Sequence, residues 1–216
     1  MVSRISDVKL EPLVSSVYIR PMRMHFKQDG KERSWDILRV HDSVQIILYH
    51  KDRRALLFVK QFRPSVYLHN IPQDADGSYA SVDWNKYPAS LGYTLELCAG
   101  IIDKKKPVIE IAQEEILEEC GFKVPLEKIE RVTSYRTGVG ATGAMGTLFY
   151  AEIDDSMKES EGGGNVGEGE RIDLEYIPVE SAKTRLLFDD TIQRPSGVLF
   201  SVFWFLETKY PLHVGK

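Results

Sequence analysis

Ten residues near the middle of the chain, Glu110-Ile111-Ala112-Gln113-Glu114-Glu115-Ile116-Leu117-Glu118-Glu119, carry five glutamates and no basic residue. Good helix formers run from Val108 to Cys120 and Gly121 follows as a stop, so the spacing predicts a helix here. At 100° per residue, Glu114, Glu115, Glu118 and Glu119 share an arc of about 140°, with Glu115 and Glu119 stacked one turn apart. Like charges at that spacing cost an isolated helix roughly 0.2–0.5 kcal/mol per pair. The fold must therefore either leave this face in water or bring a compensating cation to it. A hard divalent ion suits the second case, because Mg²⁺ prefers carboxylate and water oxygens and bridges to substrate phosphates.

The charge pattern of the whole chain bears on that choice. The net charge of −4 over 216 residues divides into 13 basic and 7 acidic side chains in residues 1–70, or +6, and 15 against 25 in residues 71–216, or −10. One part is suited to an anion and the other to cations. A dedicated nucleic-acid partner is not expected at a pI near 5.8. No apolar run reaches the ~18 residues of a membrane span, and the N-terminus lacks the apolar block of a signal peptide, so a cytoplasmic protein without a membrane partner is expected. Cys98 and Cys120 read as reduced packing residues. The histidines, 25, 41, 50, 69 and 213, show no metalloprotease spacing, and neither a Gly-x-Ser-x-Gly elbow nor a phosphate-binding Gly-Lys-Ser/Thr loop occurs.

The first 62 residues read as β-structure. Met22–Phe26 and Trp35–Val40 flank Gln28-Asp29-Gly30-Lys31, a turn in which Asp-Gly supplies positive φ. Val44–Tyr49 and Ala55–Val59 are apolar enough to be core strands. Residues 72–93, rich in Asp, Ser, Asn and Pro, read as a long excursion. A short strand, Leu95–Ala99, ends at Gly100. Strands over Arg131–Tyr135 and Gly146–Ile153 enclose the glycine-rich loop 138–143. Residues 156–169, which include Gly162-Gly163-Gly164, read as flexible. Asp173–Val179 is a strand with helical potential after it to Leu187, and Ser196–Thr208 has a buried helical pattern.

Gly100, Glu115, Ile116, Glu118, Glu119, Gly121 and Phe122 have the spacing of the Nudix box, Gly-x5-Glu-x7-Arg-Glu-U-x-Glu-Glu-x-Gly-U with U apolar, so the chain resembles the Nudix hydrolases. Lys106 stands at the first Glu position and Glu114 at the Arg position, where the family uses Arg to orient the glutamates. Asp42-Ser43-Val44, Val59–Pro64, Glu96–Gly100, Gly138-Val139-Gly140, Trp35-Asp36 and the aromatic C-terminal helix resemble the UDP-glucose pyrophosphatase branch, close to the ADP-ribose pyrophosphatases.

That resemblance implies an α+β fold, an α/β/α sandwich around a mixed sheet. It also implies an N-terminal β extension over 1–41 used in homodimer formation, followed by a hydrolase domain over 42–216. The implied activity is Mg²⁺-dependent hydrolysis of a nucleoside diphosphate sugar, with Mn²⁺ as a substitute ion: UDP-glucose to UMP and glucose 1-phosphate. ADP-ribose cleavage to AMP and ribose 5-phosphate is the alternative, and a non-catalytic nucleotide-sugar-binding module is a third reading, motivated by Lys106 and Glu114. By the same resemblance Glu115, Glu119, Glu118 and the Ala99 carbonyl hold the metal, and Glu168 or Glu170 serves as general base. Arg63 contacts substrate phosphates, and Glu96 hydrogen-bonds substrate or its neighbours. From the residues themselves, Trp35 is expected to stack on the base with Arg33 adding charge, and the Gly140 loop to approach sugar or phosphate because glycine lets backbone come close.

Overall fold

The structure, a computed structural model, describes residues 5–165, 167 and 169–214. Its first element is an antiparallel hairpin of β1 (Arg20–Gln28) and β2 (Lys31–Arg39), which forms a two-stranded sheet of its own. The hairpin turns at Asp29 and Gly30, whose φ values of 51° and 76° are those a two-residue loop demands.

The main sheet has seven strands and is mixed. β3 (Ser43–His50) runs parallel to β8 (Ala144–Ile153), whereas the other pairings are antiparallel. β3 and β4 (Ala55–Phe62) pair only near their connecting turn, Leu48–His50 against Ala55–Leu57, and then diverge. The gap is filled by β5 (Tyr93–Glu96), which pairs with β4, and β6 (Cys98–Ile101), which pairs with β3. The single strand expected over Leu95–Ala99 is thus two strands broken at buried Leu97. One straight strand cannot hydrogen-bond to two diverging partners, so the chain bends at the vertex of an inner V. β7 (Ile129–Thr137) and β9 (Ile172–Pro178) complete the sheet against β8 and β4.

Alternation along β3 supplies both faces of the sheet. The short helices α1 (Pro64–His69) and α3 (Val179–Lys183) follow β4 and β9, while Val44, Ile46 and Leu48 face α2 (Val108–Cys120), packing with its Ile111, Ala112, Ile116 and Cys120. Ile47 and Tyr49 join the opposite core with Val198, Val202 and Phe205 of α4 (Ser196–Thr208). The result is an α+β fold with α/β/α layering, as expected. Among the described residues no helix is long and apolar enough to cross a membrane.

The segment read as flexible is instead an ordered strap over 156–164. Phe122 bridges to Lys158, and the amides of Glu159 and Ser160 both donate to the Gly121 carbonyl. The Gly163 amide donates to the Glu119 carbonyl at 2.8 Å, and that of Gly164 to the Glu118 carbonyl at 3.3 Å. A helix leaves its last carbonyls without intrahelical partners, and the strap satisfies them. The glycine run serves close approach: a Cβ on Gly162 would lie 2.4 Å from the Glu119 carbonyl oxygen.

Candidate active site

The inner V places the two arms of 93–101 against different chemistry. Ala99 and Gly100 on β6 face the glutamates of α2. The Ala99 amide donates to Glu119 Oε2 at 2.8 Å. At Gly100 the absence of a side chain is required, since a Cβ there would sit 1.9 Å from Glu115 Oε1. The box glycine is therefore the seat of the box glutamate.

On the other arm Glu96 receives both ends of the Arg63 fork, Nε to Oε1 at 2.7 Å and Nη2 to Oε2 at 2.8 Å. Thr94, two residues earlier on the same face of β5, adds its hydroxyl to Glu96 Oε1 at 2.5 Å. Burial opposes ionisation of Glu96, but Arg63 and Thr94 outweigh it and hold the carboxyl below its ordinary range. Arg63 is held firmly charged, first by the Glu96 hydrogen bonds and then by the negative fields of Glu96, Glu119 and Glu170.

The α2 carboxylates are in the opposite condition. Glu119 is 2% exposed. Burial pushes its pKa up to about 8; the Ala99 amide works against this, while Glu115 and Glu170 reinforce it. Glu115 is pushed to about 7, first by burial and then by Glu118 and Glu170. Such a set of hard oxygen donors, short of positive charge, fits a divalent cation.

Glu170 belongs to this cluster through its field on Glu115, Glu119 and Arg63, and one of its oxygens accepts the Asn165 amide at 3.3 Å. Glu118 is exposed at the rim. Glu168 lies outside the described residues. Trp35 and Gly140, read separately in the sequence, meet: the indole Nε1 donates to the Gly140 carbonyl at 2.8 Å, and the Leu38 amide to Ala141 at 2.9 Å. Arg33 is exposed on β2, paired across the hairpin with Phe26, and makes no ion pair among the described residues.

The two departures from the box also meet. Lys106 Nζ contacts Glu114 Oε1, and Lys104 Nζ donates to Glu114 Oε2 at 3.2 Å. The pair keeps the opposite charges of the motif with their order reversed. Sequence reasoning noted both positions without joining them, although two complementary departures in one motif are themselves a contact signal. It missed Lys104, whose charge draws the Glu115 pKa down, and Thr94, which the two-residue period from Glu96 points to.

No family model matches the chain. Comparison with curated proteins finds relatives along nearly its full length. Uridine diphosphate glucose pyrophosphatase of Bos taurus is 38% identical over 216 residues, covering 96% of this chain and 97% of the relative. The Mus musculus protein of the same name is 36% identical over 218 residues, with the same coverage of 96% and 97%. A GDP-mannose pyrophosphatase of Cronobacter sakazakii is 28% identical over 137 residues, covering 63% of this chain and 60% of the relative.

Proposed function

The chain belongs to the uridine diphosphate glucose pyrophosphatase family of Nudix hydrolases, and from this premise we propose that it cleaves UDP-glucose to UMP and glucose 1-phosphate. The class of reaction is hydrolysis of the diphosphate bond of a nucleoside diphosphate sugar. The observation that carries this reading is a charge-starved carboxylate cluster, Glu115 and Glu119, beside a guanidinium, Arg63, that Glu96 fixes in place and that feels the charges of Glu119 and Glu170. Carboxylates alone would repel a diphosphate, and a guanidinium alone would bind it without hydrolysis.

Glu115, Glu119, Glu118 and the Ala99 carbonyl are the groups that would hold Mg²⁺, with Mn²⁺ as substitute. When bound, the ion supplies neutralisation of the phosphate charge and a lowered pKa for water. The remaining work falls to the chain. Arg63, its fork oriented by Glu96, offers its free N–H edge to a phosphate oxygen. Water attacks one phosphorus, the bridging P–O bond breaks, and the water proton passes to a carboxylate. We assign that base to the segment carrying Glu168 and Glu170. Glu170, backed by the Asn165 amide, is the described candidate. Trp35, anchored by Gly140 with its ring half exposed, offers a stacking face to the base, and Arg33 adds charge on the same hairpin.

The hairpin also carries exposed Met22 and Met24. The hairpin pairs with no strand of the main sheet and is tied to the chain at Gly140 and Ala141, and a homodimer built through residues 1–41 would cover its exposed side chains. Light scattering at micromolar concentration checks this, and a monomer mass would remove the dimer. The setting assigned is the cytoplasm, in keeping with two buried free thiols.

The activity test is product analysis with purified full-length protein and Mg²⁺ on UDP-glucose, GDP-mannose and ADP-ribose. UMP and glucose 1-phosphate are expected as the fastest-formed products, and Glu119→Gln is expected to lose at least about a hundredfold, ~2.7 kcal/mol of barrier. Absence of monophosphate from every nucleotide sugar would overturn the proposal.

A further inference from the structure

His50 ends β3 at the opposite extreme from the glutamates. It lies five positions beyond Gln45, the partner of Ala99, and so roughly 17 Å along the strand. Its side chain is fully buried, and neither Nδ1 nor Nε2 has a hydrogen-bond partner. Phe122 and Tyr176 enclose the ring edge-on, with centroids at 5.6 and 5.7 Å. Buried polar atoms are normally paired, and leaving one unmet costs ~1–3 kcal/mol.

What Nε2 faces is acidic. Asp155 Oδ1 lies 3.3 Å away without forming a hydrogen bond. Asp52 is held alongside, because its Oδ2 accepts the Asp155 amide at 3.0 Å. One ligand atom from each of His50, Asp52 and Asp155 falls within 4.8 Å of the others, the only such group among the described residues. Burial, and then the nearby Arg53 charge, hold the His50 pKa below its ordinary value, which keeps a lone pair on the ring.

We propose that His50, Asp52 and Asp155 form a second divalent-cation site, independent of the glutamate centre, that clasps the β3–β4 turn to the segment following β8. One imidazole with two carboxylates, open to water on the Asp155 side, suits a borderline ion of the Zn²⁺ class; Mg²⁺ and Ca²⁺ favour all-oxygen sets. The competitor is Arg53. Its Nη2 lies 3.7 Å from the same Asp155 oxygen, while its guanidinium also stacks 4.2 Å over the Tyr176 ring. An arriving ion displaces Arg53 from Asp155 but leaves that stack as an alternative seat.

Zinc uptake isolates the site when the glutamate centre is disabled. Full-length protein carrying Glu115→Gln and Glu119→Gln, stripped with chelator, should bind one Zn²⁺ in calorimetry and melt at higher temperature with it. Adding Asp155→Asn or His50→Gln should weaken uptake at least about tenfold, and adding Arg53→Gln should tighten it. Asp155 is exposed, so its variant tests the site even if loss of His50 disturbs folding. The assignment is overturned if the background protein takes up no Zn²⁺ at micromolar concentration, if Asp155→Asn binds as tightly as the background, or if Arg53→Gln leaves the affinity unchanged or weaker. Hydrolysis of nucleotide sugars is not read in this experiment, so its outcome is separate from that of the proposed activity.

Discussion

Glu115 and Gly100 occupy one space: the carboxylate fills the volume that a side chain at position 100 would need. Nearby, Lys106 and Glu114 show how a motif can change residues and keep its physics. Both are substituted relative to the Nudix box, yet they touch, and Glu114 also accepts from Lys104. An acid and a base have exchanged places, so the charge sum beside Glu115 is conserved. The pair is partly solvated, which limits its worth to ~0.2–1 kcal/mol. A double-mutant cycle with Lys106→Met and Glu114→Gln, read by urea unfolding, should return a coupling of about 0.5 kcal/mol. A coupling indistinguishable from zero would make the two residues mere neighbours.

At the scale of elements, the strap over 156–164 determines how α2 ends and so where Glu118 and Glu119 point. It donates amides to the carbonyls of both residues and packs so closely that Gly162 touches the helix end. Gly162→Ala would add backbone strain at φ +68° to a clash with the Glu119 carbonyl oxygen. The expected cost is about 2–3 kcal/mol of stability together with reduced turnover. Gly77→Ala is the control: its φ is +79° with nothing within 4 Å of the added Cβ, so only a backbone cost of about 1 kcal/mol remains. Equal costs at both positions, measured by urea unfolding, would remove the strap from the site's support. The divergence of β3 and β4 is the other decision at this scale. It opens the sheet so that 93–101 reaches the glutamates along one arm and Arg63 along the other.

For the whole molecule, gathering the carboxylates makes stability depend on pH. Glu115 and Glu119 have folded values near 7 and 8 against 4.5 for the ordinary carboxyl. Below about 4.5 both folded and unfolded chains hold these protons. As pH rises from there towards 8 the unfolded chain has released protons that the folded chain retains, so the metal-free protein loses stability across that window. Melting temperature in chelator should therefore fall between pH 5 and pH 8, and Glu119→Gln should flatten part of the slope. Mg²⁺ should raise it more at pH 8 than at pH 6, because protons compete for the same oxygens. A melting temperature in chelator that rises through this range would contradict the burial of these groups.

The helix over Val108–Cys120, its Gly121 stop, the core strands and the acidic face are legible in the residues, because they follow from local propensity and from periods of two and 3.6 residues. Glu115, Glu118 and Glu119 were legible for the same reason, since they lie within five residues on one helix, whereas that Glu170 acts on them depends on the fold. Local pattern could not show that Leu95–Ala99 breaks in two, that Gly162–Gly164 packs tightly, that Arg63 grips Glu96, or that His50 lies unpaired beside Asp52 and Asp155. Each of these depends on segments brought together from far along the chain. A glycine run reads as freedom until a neighbouring carbonyl shows that it is there for want of room, and a lone histidine acquires a chemistry only when packing has excluded water and placed two carboxylates beside it.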